Sequence, residues 1–211
     1  MKTILLFSAL LLGVFCANSA MATHFDGCGT PYCGCGIPQS ILPTPNFLAL
    51  NVQKTPYDYS TYLPRPIQDS TKLGPFNNGK NCGRWIKVTL GKFCTGTNSG
   101  LPGKPFCEGG QWVDDSFTGA TQNYIVADSC QDGNRWCRDD IFHTDLSTAS
   151  LKTFEHNGQK VDVSNKWNNR EVSWDFINGP TLPIKLYFGQ KAQQYYPVII
   201  VTGFSNGLSG V

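Results

Sequence analysis

The chain has 211 residues, 17 Lys and Arg against 15 Asp and Glu, a formal net charge of +2 and nine cysteines. No run of Lys or Arg breaks this balance, which excludes the electrostatic footprint of a nucleic-acid or anionic-membrane binder. A near-neutral chain with 12% aromatic residues suits an uncharged polymer better.

The N-terminus reads as a secretion leader. Lys2 opens a positive region, Ile4 to Phe15 is an apolar stretch of leader length, and Ala17, Ser19, Ala20 and Ala22 supply small residues for a signal peptidase. The stretch is too short to cross a bilayer and nothing like it recurs, so no membrane anchor is expected. Cleavage is expected after Ala20, with Ala22 as second choice, giving an extracellular protein. The remaining chain, about 190 residues, is enough for one domain with a substantial core or one domain plus an appendage. No Asn-x-Ser/Thr acceptor occurs, so N-glycosylation is not expected.

Cys16 leaves with the leader. The other eight, Cys28, Cys33, Cys35, Cys82, Cys94, Cys107, Cys130 and Cys137, read as four disulfides in an oxidising compartment, with connectivity open. Cys33-Gly34-Cys35 looks like a metal-ligand pair, but the paired Cys-x-x-Cys or Cys/His spacing of structural zinc sites is missing. No metal is expected.

Helical periodicity is scarce. Asn46–Val52, after two prolines, and Ser147–Phe154, with Ser147 as N-cap, are the clearest helical candidates. Between and after them lie short β-branched and aromatic runs broken by Gly, Pro and Asn: Arg84–Leu90, Asn123–Ala127, Glu171–Ile177, Pro183–Phe188 and Pro197–Thr202. Many short strands with irregular loops predict a closed barrel or a sandwich. The stretch Gln53–Asn81 carries Tyr57, Tyr59, Tyr62 and several prolines, and reads as an ordered surface excursion. No internal repeat is visible.

Gly203-Phe204-Ser205-Asn206-Gly207 fits the G-x-S-x-G pattern of a serine-hydrolase elbow. That chemistry needs a following helix, then an acid and a histidine. Only four residues remain, and no histidine lies beyond His156, so this is a glycine-rich turn.

The informative segment runs Tyr124-Ile-Val-Ala-Asp128-Ser-Cys130, then Gly133-Asn134-Arg-Trp136-Cys137, then Phe142-His143-Thr-Asp145-Leu-Ser. Two apolar runs each end on an aspartate, with a cysteine-bounded loop between them. This pattern can place Asp128 and Asp145 on neighbouring strand ends with Asn134 above. Breaking a glycosidic bond needs a carboxylic acid that protonates the leaving oxygen and a partner that handles water or developing charge. The bland alternative is that one Asp caps a helix and the other satisfies loop amides. Among the tryptophans, Trp136 on the loop is the stacking candidate and Trp85, next to Cys82, reads as core.

Four blocks in order carry a family resemblance: Thr23-His-Phe25-Asp26-Gly-Cys28 through Cys33-Gly, Asn81-Cys82-Gly83-Arg84-Trp85, the segment above, and Trp167-Asn-Asn-Arg-Glu-Val-Ser-Trp174. Together they resemble glycoside hydrolase family 45 endoglucanases, whose six-stranded double-psi β-barrel is shared with expansins and loosenins. The first block is most similar to the fungal branch that lacks the usual aspartate base, and the last to mollusc members. The resemblance covers roughly residues 21–178. It implies a barrel over 21–179 and leaves residues 180–211 as a C-terminal β-hairpin, which resembles the opening strands of the expansin second domain.

The resemblance implies an inverting endo-β-1,4-glucanase, monomeric and without cofactor, with Asp145 as general acid. Asn134 falls where the base-deficient branch has an asparagine thought to orient or activate water, and Asp128 matches a second barrel aspartate also present in expansins. Thr23 and Phe25 fall on cleft-lining positions, with Trp136 and His143 as further substrate contacts. The usual base position aligns with Gly27. Asp26 lies one residue earlier, so strand alternation points it to the other face unless a bulge re-aims it. Asn134, Asp26 and Asp128 therefore all stand as candidates for positioning water. Asp145 must have its pKa raised by burial or a neighbouring carboxylate to hold a proton near neutral pH. Two other readings use the same barrel: a non-hydrolytic expansin- or loosenin-like protein that loosens cellulose, and a barwin-type inhibitor or lectin.

Overall fold

The computed structural model describes residues 17–28, 33–60, 62–130, 133–189 and 192–203. Its strands in chain order are β1 (Asn18–Phe25), β2 (Phe47–Asn51), β3 (Trp85–Leu90), β4 (Phe93–Cys94), β5 (Trp112–Val113) and β6 (Thr121–Cys130). After the short helix α1 (Arg135–Asp139) come β7 (Thr144–Ser147), β8 (Phe154–His156), β9 (Gln159–Val161), β10 (Glu171–Ile177), β11 (Lys185–Phe188) and β12 (Ile199–Thr202).

Six strands close on themselves in the order β2-β7-β1-β10-β3-β6, with β6 returning to β2. Two of the pairings, β1 with β7 and β2 with β6, are parallel, and the other four are antiparallel. This is the six-stranded double-psi β-barrel. Alternate residues Leu48, Leu50, Ile86, Val88, Val126, Leu146, Val172 and Trp174 turn inward to form the main core. Cys33, Phe47, Trp85, Ile125 and Ala127 form a second cluster on the outer face. The barrel has no free edge among its six strands, because closure pairs every one on both sides. The β11–β12 hairpin pairs antiparallel outside the barrel, as the C-terminal expectation has it.

The helix expected at Asn46–Val52 is strand β2. Its residues Phe47–Asn51 are all buried, because each face of the strand packs against a different apolar layer. A run of that kind has no alternation to read, and strand and helix look alike in sequence. At Ser147–Phe154 a short 3-10 turn, Thr148–Lys152, replaces the expected α-helix. Ser147 does occupy its N-cap position, but its hydroxyl donates to the Pro45 carbonyl at 2.7 Å and caps nothing.

Four disulfides join Cys28–Cys33, Cys35–Cys82, Cys94–Cys107 and Cys130–Cys137. His143 lies close to Cys130 and Cys137, but the two sulfurs are bonded to each other and offer no thiolate to a metal. Most of the expected leader, residues 1–16, lies outside the described residues. Asn18, Ser19 and Ala20 are described, and pair with Trp174, Ser173 and Val172 of β10. Of the G-x-S-x-G turn, Gly203 is described and the rest is not.

Candidate active site

A row of four residues crosses the outer face of the barrel. Thr23 pairs with Asp145, Asp145 with Ala49, and Ala49 with Asp128, taking the row from β1 through β7 and β2 to β6. Directly paired residues project to the same side of a sheet, so both aspartates flank the small Ala49 side chain. Two strand spacings separate them, about 9.5 Å between Cα atoms.

A β-bulge puts Asp128 in this row. Leu48 pairs with Val126, but the next residue, Ala49, pairs with Asp128, so Ala127 is the extra residue. Val126 points inward, and simple alternation would turn Asp128 inward as well. The bulge re-aims it outward. It supports Asp128, in strand β6, and leaves Asp26 where alternation sends it.

Burial dominates the electrostatics of the row. It raises the Asp145 carboxyl, the hydroxyl of Thr23 donating to Oδ1 at 2.9 Å opposes this, and the negative Asp128 raises it further, to about 6. Asp128 is also raised by burial, against backbone N–H donors from Ser129 at 2.8 Å and Gly34 at 2.6 Å. The Gly34 donor is held by the two disulfides that flank it in sequence, at Cys33 and Cys35. A Cβ at Gly34 would lie 2.4 Å from Asp128 Oδ1, so only glycine lets the backbone come this near.

Behind the row sits His143, fully buried, with Nε2 2.8 Å from the Thr23 hydroxyl. Thr23 gives its proton to Asp145, so it accepts from His143, which fixes the tautomer with the proton on Nε2. Burial lowers the His143 pKa to about 3, and the imidazole is neutral. Its Nδ1 has no hydrogen-bond partner among the described residues and faces Asp140 Oδ2 at 3.9 Å. His143 has no exposed surface and meets the row only through the Thr23 hydroxyl.

The remaining expected residues are not members of this row. Asp26 is exposed on the His24 side of β1, where its Oδ1 accepts from Thr148 Oγ1 at 3.0 Å, and Thr148 in turn meets His24 Nδ1 at 2.8 Å. Phe25 is half-buried, edge-on to Phe47 at 5.6 Å and packed against Ala49, Cys130 and Cys137 beneath the row. Asn134 is the N-cap of α1, its Oδ1 accepting from Trp136 N–H at 3.0 Å, while its Nδ2 has no partner among the described residues. Trp136 is half-buried against Gly100, with its indole N–H on Asn98 Oδ1 at 3.0 Å.

Sequence reasoning passed over Asp140, whose carboxyl burial raises to about 6 although it accepts from Met21 N–H at 2.5 Å and Phe142 N–H at 3.2 Å. The acidic pair Asp139-Asp140 just after Cys137 was the available signal. Gly34 carried a signal too, since a glycine squeezed between two cysteines marks a close backbone approach.

Comparison with known proteins finds no matching family model and no matching curated protein. Among solved structures, the chain is similar to the β-1,4-D-endoglucanase Cel45A of the blue mussel Mytilus edulis. The match has 18% identity over 78% of this chain and 81% of that one, with a TM-score of 0.39.

Proposed function

We propose that the protein is a secreted glycoside hydrolase that cleaves β-1,4-glucan in mid-chain with inversion. The observation that carries this reading is the Asp145–Ala49–Asp128 row, in which one carboxyl is buried enough to hold a proton near neutral pH. Inverting hydrolysis needs two groups about 6.5–9.5 Å apart, an acid on the leaving oxygen and a partner that directs water to the opposite face of the sugar. Asp145 is the acid. Asp128 or the Asn134 amide directs the water, and Asp26, turned to Thr148, is the weakest of the three candidates. The sequence blocks shared with family 45 endoglucanases support the same assignment.

One observation favours the non-hydrolytic, expansin-like alternative. Asp128 Oδ1 is already occupied by two backbone N–H groups, which leaves less of that carboxylate for activating water. Reducing-sugar release from carboxymethyl-cellulose, glucomannan and mixed-linkage glucan decides between the readings. Hydrolysis with the α-anomer appearing first supports inversion. No release, with weakening of cellulose paper, supports the alternative.

The Asn134 assignment has its own test. Asn134→Ser keeps an N-cap acceptor and removes the amide, whereas Asn134→Ala loses both, and the cap contributes about 1 kcal/mol. Loss of activity in the Ser variant at an unchanged melting temperature assigns the amide to catalysis. Full activity in it reduces Asn134 to a cap.

A further inference from the structure

The excursion between β2 and β3 forms one side of an open groove of about 730 Å³. Its walls come from two sources. Tyr62, Arg65, Phe76 and Asn78 of the excursion form one, and Ser129 and Gly133, next in sequence to Asp128 and Asn134, form the other. The groove therefore adjoins the C-terminal end of β6 and the start of the loop before α1, the two segments that carry Asp128 and Asn134.

The excursion is clamped in place by α1. Asp139 accepts from Tyr57 N–H at 2.8 Å, from Tyr59 O–H at 2.5 Å and from Arg135 Nε at 2.9 Å. Arg138, almost wholly buried, donates to the Asp58 carbonyl and lies under the Tyr62 ring, 5.0 Å from its centroid. One face of Tyr62 is thus fixed on a buried cation, while the side chain remains 64% exposed at the groove. Other tyrosines of this chain are as exposed, but Tyr62 is held on Arg138 at the edge of a groove, where a fixed ring can serve as a stacking face.

We propose that this groove is a sugar subsite of the glucan cleft, in which Tyr62 is the platform for a glucosyl ring two or more units from the bond that is cut. The proposal rests on the glucanase reading and adds the excursion as the element that sets the length of substrate gripped. The groove is lined by the Tyr62 ring, an apolar floor, the Asn78 amide, the Ser129 hydroxyl and the Arg65 guanidinium, with no carboxylate, and so offers a stacking face and polar groups to the alternating apolar faces and hydroxyl edges of a sugar chain. Its size is that of a small-molecule site.

The test uses cello-oligosaccharides of increasing length, with calorimetry on the Asp145→Asn protein, which binds without turnover, and kinetics on the otherwise native chain. Tyr62→Ala is expected to weaken binding of the longer oligomers by about three- to tenfold, the worth of an aromatic contact, and to leave the shortest ones unchanged. KM for long oligomers should rise by the same factor with kcat constant, since a remote platform holds ground and transition states alike. Tyr62→Phe should bind as the parent does. Gly133→Leu, which fills the groove from the opposite wall, should reproduce the Tyr62→Ala loss if that variant does not fold. Hydrolysis with no length-dependent change in either variant overturns the subsite and leaves the enzyme standing. Tyr62-dependent binding of long oligomers without hydrolysis keeps the subsite and overturns the enzyme. Absence of binding at every length overturns both.

Discussion

Replacing Thr23 by Val and Asp128 by Asn perturbs the same carboxyl in opposite directions. Asp145 sits at about 6 because burial outweighs the Thr23 hydrogen bond and Asp128 adds to the rise. The acid must be protonated to work, so kcat/KM should fall above pH 6, with about a tenth of the molecules still competent at pH 7. Thr23→Val deletes a bond that favours the charged form. Such a bond contributes about 1.5–3 kcal/mol and one pKa unit is about 1.36 kcal/mol, so the alkaline limb should move up by about one to two units. Asp128→Asn deletes a negative charge two strands away, which at a separation of about 9.5 Å and an effective dielectric of about 20 moves the limb down by about one unit. The assay is kcat/KM on a soluble β-glucan from pH 4 to 9, read as the midpoint of the alkaline limb and scored even where the maximal rate has dropped. Thermal melts on each variant check folding, because Thr23→Val also leaves the His143 Nε2–H without an acceptor. Limbs that move together, or not at all, would show that Asp145 is not the titrating acid. Asp145→Asn should lower activity by about 10²–10⁴-fold and leave glucan binding intact.

Other expectations are independent of that experiment. Gly34→Ala should displace Asp128, since the new Cβ would lie 2.4 Å from its Oδ1, and activity should fall more than the melting temperature does. Asp140 has a folded pKa of about 6 against an ordinary 3.8, so the folded state binds the extra proton and stability should drop as pH rises from about 4 to 6. Asp140→Asn should remove Asp140's share of that dependence, leaving the like share of Asp145, and raise stability at pH 7 by at most about 3 kcal/mol, measured by chemical denaturation at both pH values. Leader cleavage after Ala20 would strip three of the four antiparallel pairs between β1 and β10, so intact-mass analysis of the secreted protein should find Asn18 retained. An active, stable protein starting at Met21 would show that the barrel closes without them. The same spectrum should show about eight daltons less than the fully reduced mass, one proton lost for each paired cysteine.

Much of this protein is legible from its residues alone. Eight cysteines indicate a disulfide-stapled domain, and short β-branched runs punctuated by Gly and Asn indicate a β-rich one, because those signals are local. Arg84–Leu90 and Glu171–Ile177 alternate clearly and are strands within a residue of the expected ends. Phe47–Asn51 misled, because a strand buried on both faces has no period to betray it. The two aspartates could be singled out as chemistry-bearing groups, and Asp26 could be doubted from alternation alone. Their arrangement needed the fold. The pairing of Ala49 with both Asp128 and Asp145 joins strands far apart in sequence, and the bulge at Ala127 that aims Asp128 outward exists only where β6 meets β2. The raised pKa of Asp145, the full burial of His143 and the Tyr62 platform over Arg138 belong to the same class. Composition and local pattern fix which groups a chain carries, but burial, field and separation are set by contacts between distant segments.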